Sequence, residues 1–327
     1  MIIDSYITYL KDIRRYSSRT VQIYEDVLRK YARKMSGDDV TDNQLIESLN
    51  TSEIRSYEVA LLDDEGLLPK TVRLHMSALS SFCAFLVKEG LLQSNPVRLV
   101  PKPKVEKRLP HFFRKEAMDD YFAKTEIYSS EEFLELFRQA PVSDSGKDLY
   151  EKRLARLVLS LLYSTGLRRS ELISLKIEDI DFGRKVAKVT GKGNKMREIP
   201  LIVTLCEEIL LYLRAVETLT GEERSLKSPL LVTYTAIPLY PAYVDRTVKR
   251  ELGDVKGITG RKSPHILRHS LATELMNDQA DLNSIKEMLG HSSLATTQVY
   301  THSSFARLKN IYETAHPRAK NGGKHGD

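Results

Sequence analysis

Apolar residues return at helical spacing through most of this chain. Ser17 or Ser18 can cap a helix through Thr20, Tyr24, Leu28 and Tyr31, which lie three or four residues apart, the period of one helix face. Val72, Leu79, Phe82, Cys83, Phe85 and Leu86 predict another helix from about Lys70 to Glu89, stopped at Gly90. Lys70, Arg73, His75 and Ser77 are assigned to its outward face, where charged residues are ordinarily just solvated. The same period predicts helices over 129–140, 149–164, 202–219, 242–252, 266–278, 282–289, 293–300 and 305–314, with PVSDSGKD as a polar turn between the first two. Only 186–189 and 196–201 read as β-strands, joined by TGKGNK. Gly191, Gly193 and Asn194 suit a tight hairpin and place Lys192 at its tip.

The helical pattern breaks over 95–107, which is rich in proline and basic residues, among them Lys102 and Lys104. This predicts a linker. It separates an N-terminal helical domain over 1–94 from a second domain over 108–318, and a polar, Gly-rich tail occupies 319–327. The fold class is therefore mainly α with a small antiparallel β-sheet, in two domains.

At 327 residues, 41% hydrophobic and 29% charged, the chain has the composition of two soluble domains. It has no run of about 18 apolar residues and no signal-peptide layout, so no membrane association is expected. Cys83 and Cys206 are far apart and read as buried thiols of a reduced, cytoplasmic protein. No Cys/His or His/Glu spacing points to a metal, and no cofactor is expected. GKGNK lacks the spacing of a nucleotide-binding loop. The formal net charge of +6 is compatible with a polyanionic partner without requiring one.

The candidate chemistry lies in Arg168, Lys192, His265, Arg268, His291 and Tyr300. Two arginine forks can hold the nonbridging oxygens of a phosphodiester as charge builds on phosphorus. Lysine can protonate a leaving hydroxyl, and histidine shuttles protons near neutrality. A tyrosine becomes a nucleophile where cations favour its phenolate. Each residue alone has a plainer reading: Arg168 as a turn arginine, Tyr300 as a packing residue. His269 and His302 are read as structural bystanders.

The conjunction is specific. TGLRRSEL, VTGKGNKMREIPL, SPHILRHSLAT and LGHSSLATTQVYTH occur in that order, with Lys192 24 residues after Arg168 and Tyr300 9 after His291. In these motifs the chain resembles the tyrosine recombinases of the phage integrase family, most closely the Xer site-specific recombinases. The likeness extends to YSSRTVQIYEDVLRKY, KTVRLHMSALSSF, NPVRLVPKPKVEKRLP and the ending AHPRAKNGGK, apart from extra residues over 112–125 and 141–147.

The resemblance implies a two-domain DNA clamp, with a core-binding domain and a catalytic domain on opposite sides of the duplex. It implies Tyr300 as nucleophile forming a 3′-phosphotyrosyl link, Arg168, Arg268 and His291 on the nonbridging oxygens, Lys192 as general acid and His265 as general acid/base, all without metal or ATP. Glu171 would orient Arg168, and Lys70, Arg73, Lys102 and Lys104 would contact DNA. The implied partners are double-stranded DNA, a homo- or hetero-tetramer of protomers on two sites, the 305–314 helix and tail docking into a neighbour, and an activating protein. The implied setting is the nucleoid, in chromosome or plasmid dimer resolution tied to chromosome partition and cell division. An integrase or invertase of a mobile element shares this chemistry. A type IB topoisomerase-like enzyme or a DNA-binding protein that has lost catalysis fits less of the chain.

Overall fold

The computed structural model describes residues 2–37, 40–105, 112–191, 196–277, 285, 288 and 289. The chain divides into two compact units, Met1–Arg108 and Leu109–Asp327.

The first unit is helical: α1 (Ile2–Thr8), continued by a π-helical turn over Tyr9–Ile13, then α2 (Ser18–Ser36), α3 (Asp42–Ser48), α4 (Thr51–Asp63) and α5 (Pro69–Lys88). The starts follow from local chemistry. Ser17 accepts the Thr20 amide at 3.3 Å, Thr41 and Gln44 form a reciprocal capping box, Asn50 accepts the Glu53 amide at 3.0 Å, and proline opens α5. Each satisfies or removes an amide that the first helical turn leaves without a partner. Tyr6, Tyr31, Tyr57, Leu79 and Phe82 lie in the buried core.

His75 is not on the outward face of α5. It is buried, and its Nδ1 pairs with the Tyr57 hydroxyl at 2.9 Å. Position 75 follows Val72 by three residues and precedes Leu79 by four, which puts it on the apolar stripe. The stretch read as linker also begins inside this unit. Asn95 caps a 3-10 turn over Pro96–Leu99, and Val97 and Val100 are buried in the helical core.

The second unit contains α6 (Lys115–Lys124), α7 (Glu131–Gln139), α8 (Asp144–Thr165), α9 (Arg169–Ser174), β1 (Ile180–Asp181), β2 (Val186–Thr190), β3 (Met196–Pro200), α10 (Val203–Thr220), α11 (Pro241–Glu251) and α12 (Pro264–Asn277). The sheet is antiparallel in the order β1-β2-β3, with Val186 opposite Pro200 and Thr190 opposite Met196. α8 is the central helix, buried continuously from Arg153 to Thr165 and packed against α7, α10, α11 and α12. A helix covered all round needs apolar residues all round, and LVLSLLYST supplies them. Both cysteines are buried and free. No described helix is long and apolar enough to cross a membrane.

α8 begins earlier than its apolar pattern does. Ser143 accepts the Gly146 amide at 3.0 Å, so the polar run read as a turn is the first helical turn. A Cβ on Gly146 would lie 2.2 Å from the Ala140 carbonyl oxygen, which accounts for glycine there.

Candidate active site

The C-terminal end of α8 is the pivot of the site. Gly166 adopts φ +63°, and a Cβ there would sit 2.5 Å from Leu289 Cδ2 and 3.2 Å from Leu271 Cδ2. Glycine therefore answers both the left-handed backbone and the close packing. The turn delivers Arg168 to the N-cap of α9.

Arg168 is held by Glu171, three residues on. Its backbone amide donates to one carboxylate oxygen at 2.8 Å and its Nη1 to the other at 2.7 Å. The same carboxylate receives a second arginine, Arg197 of β3, through Nη1 at 2.9 Å and Nη2 at 2.8 Å. Burial alone would raise the Glu171 pKa. The Arg197 fork, the Arg168 amide, the Arg197 charge and the Arg168 side-chain bond overcome it and bring the group down to about 2. Glu171 is thus ionised throughout the neutral range. The Arg168 side chain remains 32% exposed, against 4% for Glu171.

Arg268, one turn into α12, is buried and faces the same turn. Its Nη1 donates to the Gly166 carbonyl at 2.6 Å and its Nη2 to the Leu289 carbonyl. Burial, and then the charge of Arg168, lower its pKa to about 10, which leaves it protonated at neutral pH. His265 stands at the exposed start of α12 behind Pro264. Partial desolvation, then the charges of Arg169, Arg268, His269 and Arg168, lower its pKa, so the neutral imidazole is favoured. His269 is exposed, and Arg169 pairs with Asp245 of α11.

Arg168, Glu171, His265 and Arg268 are therefore one electrostatic cluster drawn from two helix N-termini. Lys192, His291 and Tyr300 lie outside the described residues. Arg197 is absent from the candidates that the sequence yields, although a signal exists. Alternation along β3 puts residue 197 on the side of fully buried Ile199, and a charge on an inward face requires a partner.

In the first unit, Lys70, Arg73, Lys102 and Lys104 are all exposed. Arg73 Nε donates to the Pro103 carbonyl at 2.9 Å. That bond fixes the residue between Lys102 and Lys104 against α5, so the four cations share one surface.

Comparison with known proteins gives two family matches: the phage integrase family over residues 142–307, and the phage integrase N-terminal SAM-like domain over residues 3–90. The chain is 36% identical to the tyrosine recombinase XerC of Chlorobaculum parvum, covering 97% of this chain and 94% of the relative. It is 34% identical to that of Bacillus pumilus, covering 97% of each. Among solved structures, the Tn1549 transposon integrase in complex with circular intermediate DNA matches with a TM-score of 0.61 at 17% identity, over 93% of this chain and 97% of that one. A lambda integrase dimer bound to a core site matches with a TM-score of 0.59 at 19% identity, over 91% and 98%. At such identities the structural likeness is one of fold.

Proposed function

Because this chain belongs to the phage integrase family and is a Xer-like site-specific tyrosine recombinase, we propose that Arg168, Lys192, His265, Arg268, His291 and Tyr300 carry out its strand cleavage. The observation that carries this reading is the convergence of Arg168 and Arg268 beside Gly166 and His265.

The Tyr300 hydroxyl attacks the scissile phosphorus. A bond forms from its oxygen to phosphorus as the bond from phosphorus to the 5′-oxygen breaks. His265, whose pKa is lowered by partial burial and then by its cationic neighbours, accepts the phenolic proton, and Lys192 gives a proton to the departing 5′-oxygen. Arg168 and Arg268 hold the nonbridging oxygens with His291, where negative charge accumulates in the transition state. The covalent link conserves the phosphodiester energy, and a 5′-hydroxyl of a second duplex reverses the chemistry.

Lys70, Arg73, Lys102 and Lys104 bind phosphates of the same duplex. The recombinase works as a tetramer on two DNA sites, and its role is resolution of chromosome or plasmid dimers. The wholeness of the match to XerC relatives favours this over mobile-element integration. Sequencing DNA trapped covalently on the protein in cells tests the assignment. Recovery of one short palindromic chromosomal or plasmid site is expected; dispersed element ends would instead mean an integrase.

A further inference from the structure

Among the described residues beside Glu171, Arg197 is a buried cation to which the proposed chemistry gives no task. Its guanidinium makes three bonds to two separate segments. The Nη pair grips Glu171, and Nε donates to the Met288 carbonyl at 3.0 Å. The next carbonyl, that of Leu289, is taken by Arg268. Two adjacent carbonyls just ahead of Gly290 and His291 in the sequence are thus each held by an arginine. Arg197 also sits on β3, five residues after Lys192.

Without Arg197, Glu171 would keep its bonds to Arg168 but lose two of its four arginine bonds, and would remain buried. A buried carboxylate short of partners is costly and tends to take up a proton. A protonated Glu171 holds Arg168 by a weaker bond, from a charged donor to a neutral acceptor. A lysine at 197 could supply charge but not a planar fork that reaches both carboxylate oxygens and a carbonyl together.

We propose that Arg197 is a positioning residue for cleavage, acting through Glu171 to aim Arg168 at the scissile phosphate. It touches neither DNA nor the reacting atoms. The inference rests on the recombinase reading, and its test separates the two.

The test compares the native chain with Arg197→Lys and Arg197→Met on a duplex bearing the site recovered from the covalent trap. One duplex has a normal scissile phosphate. The other has a methyl group in place of one nonbridging oxygen, which removes the negative charge that Arg168 is aimed at. Thermal unfolding and DNA affinity serve as controls for folding. On the normal phosphate, Arg197→Met lowers the rate of covalent attachment by about 10- to 100-fold, the scale of losing part of a charge-stabilising donor set. Arg197→Lys is intermediate and also serves if the methionine variant folds poorly. On the neutral linkage the deficit shrinks to a few-fold. Equal deficits on the two linkages, or no deficit on either, would overturn the proposal.

A second readout needs no DNA. The carboxyl carbon of Glu171, assigned with Glu171→Gln, is followed by NMR against pH. The groups acting on it are Arg168 of its own helix start, Arg197 of β3 and Arg268 of α12. Its titration moves upward into the folded range in Arg197→Met, and an unmoved titration would also overturn the proposal. If the native chain attaches no DNA at all, the recombinase reading fails, and the carboxyl titration alone decides the role of Arg197.

Discussion

Glu171 accepts two bonds from Arg168 and two from Arg197, and its charge lets those arginines lie near Arg268. Opposite charge at hydrogen-bonding distance offsets like-charge repulsion inside a poorly solvated site. TGLRRSEL made Arg168 and Glu171 legible, because a glycine turn before a helix start with an acid three residues on is a local pattern. Arg197 is not local to either. Its meaning depends on β3 lying beside α9, which one strand's alternation does not specify. Lys192 is legible only through the spacing of its motif. Lys192→Ala should slow cleavage severely on ordinary DNA and regain most of the rate when the 5′-oxygen is replaced by sulfur, a leaving group that needs no proton. Comparing single-turnover rates on the two substrates checks this, and absence of rescue would remove Lys192 from the role of acid.

At the scale of elements, α8 and α12 determine where the arginines stand. The two helices are joined in the core by the Tyr163 hydroxyl, which donates to both carboxylate oxygens of Glu274 at 2.8 and 2.7 Å. Burial raises the Glu274 pKa to about 7, against the smaller lowering effect of Tyr163. The folded state therefore keeps a proton that the unfolded chain loses near pH 4.5. The associated stability is complete below that pH and is lost as pH rises through about 7. Glu274→Gln should flatten the dependence between pH 5 and 8 by at most about 3 kcal/mol. Denaturant midpoints of the second unit at the two pH values check it, and an unchanged slope would contradict it. The 3.6-residue period locates α2, α5, α7, α8, α10, α11 and α12, whereas it does not single out α1, α3, α4 and α9. Element limits are less legible: the first turn of α8 is polar and depends on the Ser143 cap, and α6 and β1 have too few periodic positions to stand out. His75 shows the opposite failure, a polar residue on the stripe whose partner, Tyr57, belongs to another helix.

For the molecule as a whole, the net charge of +6 says less than its placement. Lys70, Arg73, Lys102 and Lys104 form one exposed surface in the first unit, tied together by the bond from Arg73 to Pro103. If each neutralises a phosphate, they alone give a slope of about −4 for log affinity against log salt. Binding titrations across salt concentrations should reach at least that slope, and substituting all four by alanine should reduce it by about the same amount; a shallow native slope would contradict backbone-dominated binding. In the proposed mechanism Tyr300 breaks DNA by becoming joined to it. Incubating the native chain and Tyr300→Phe with the recovered site and denaturing the mixture measures this most directly. The native chain should carry covalently bound DNA, while Tyr300→Phe should bind the duplex with unchanged affinity and carry none. Covalent DNA on the phenylalanine variant would contradict the account.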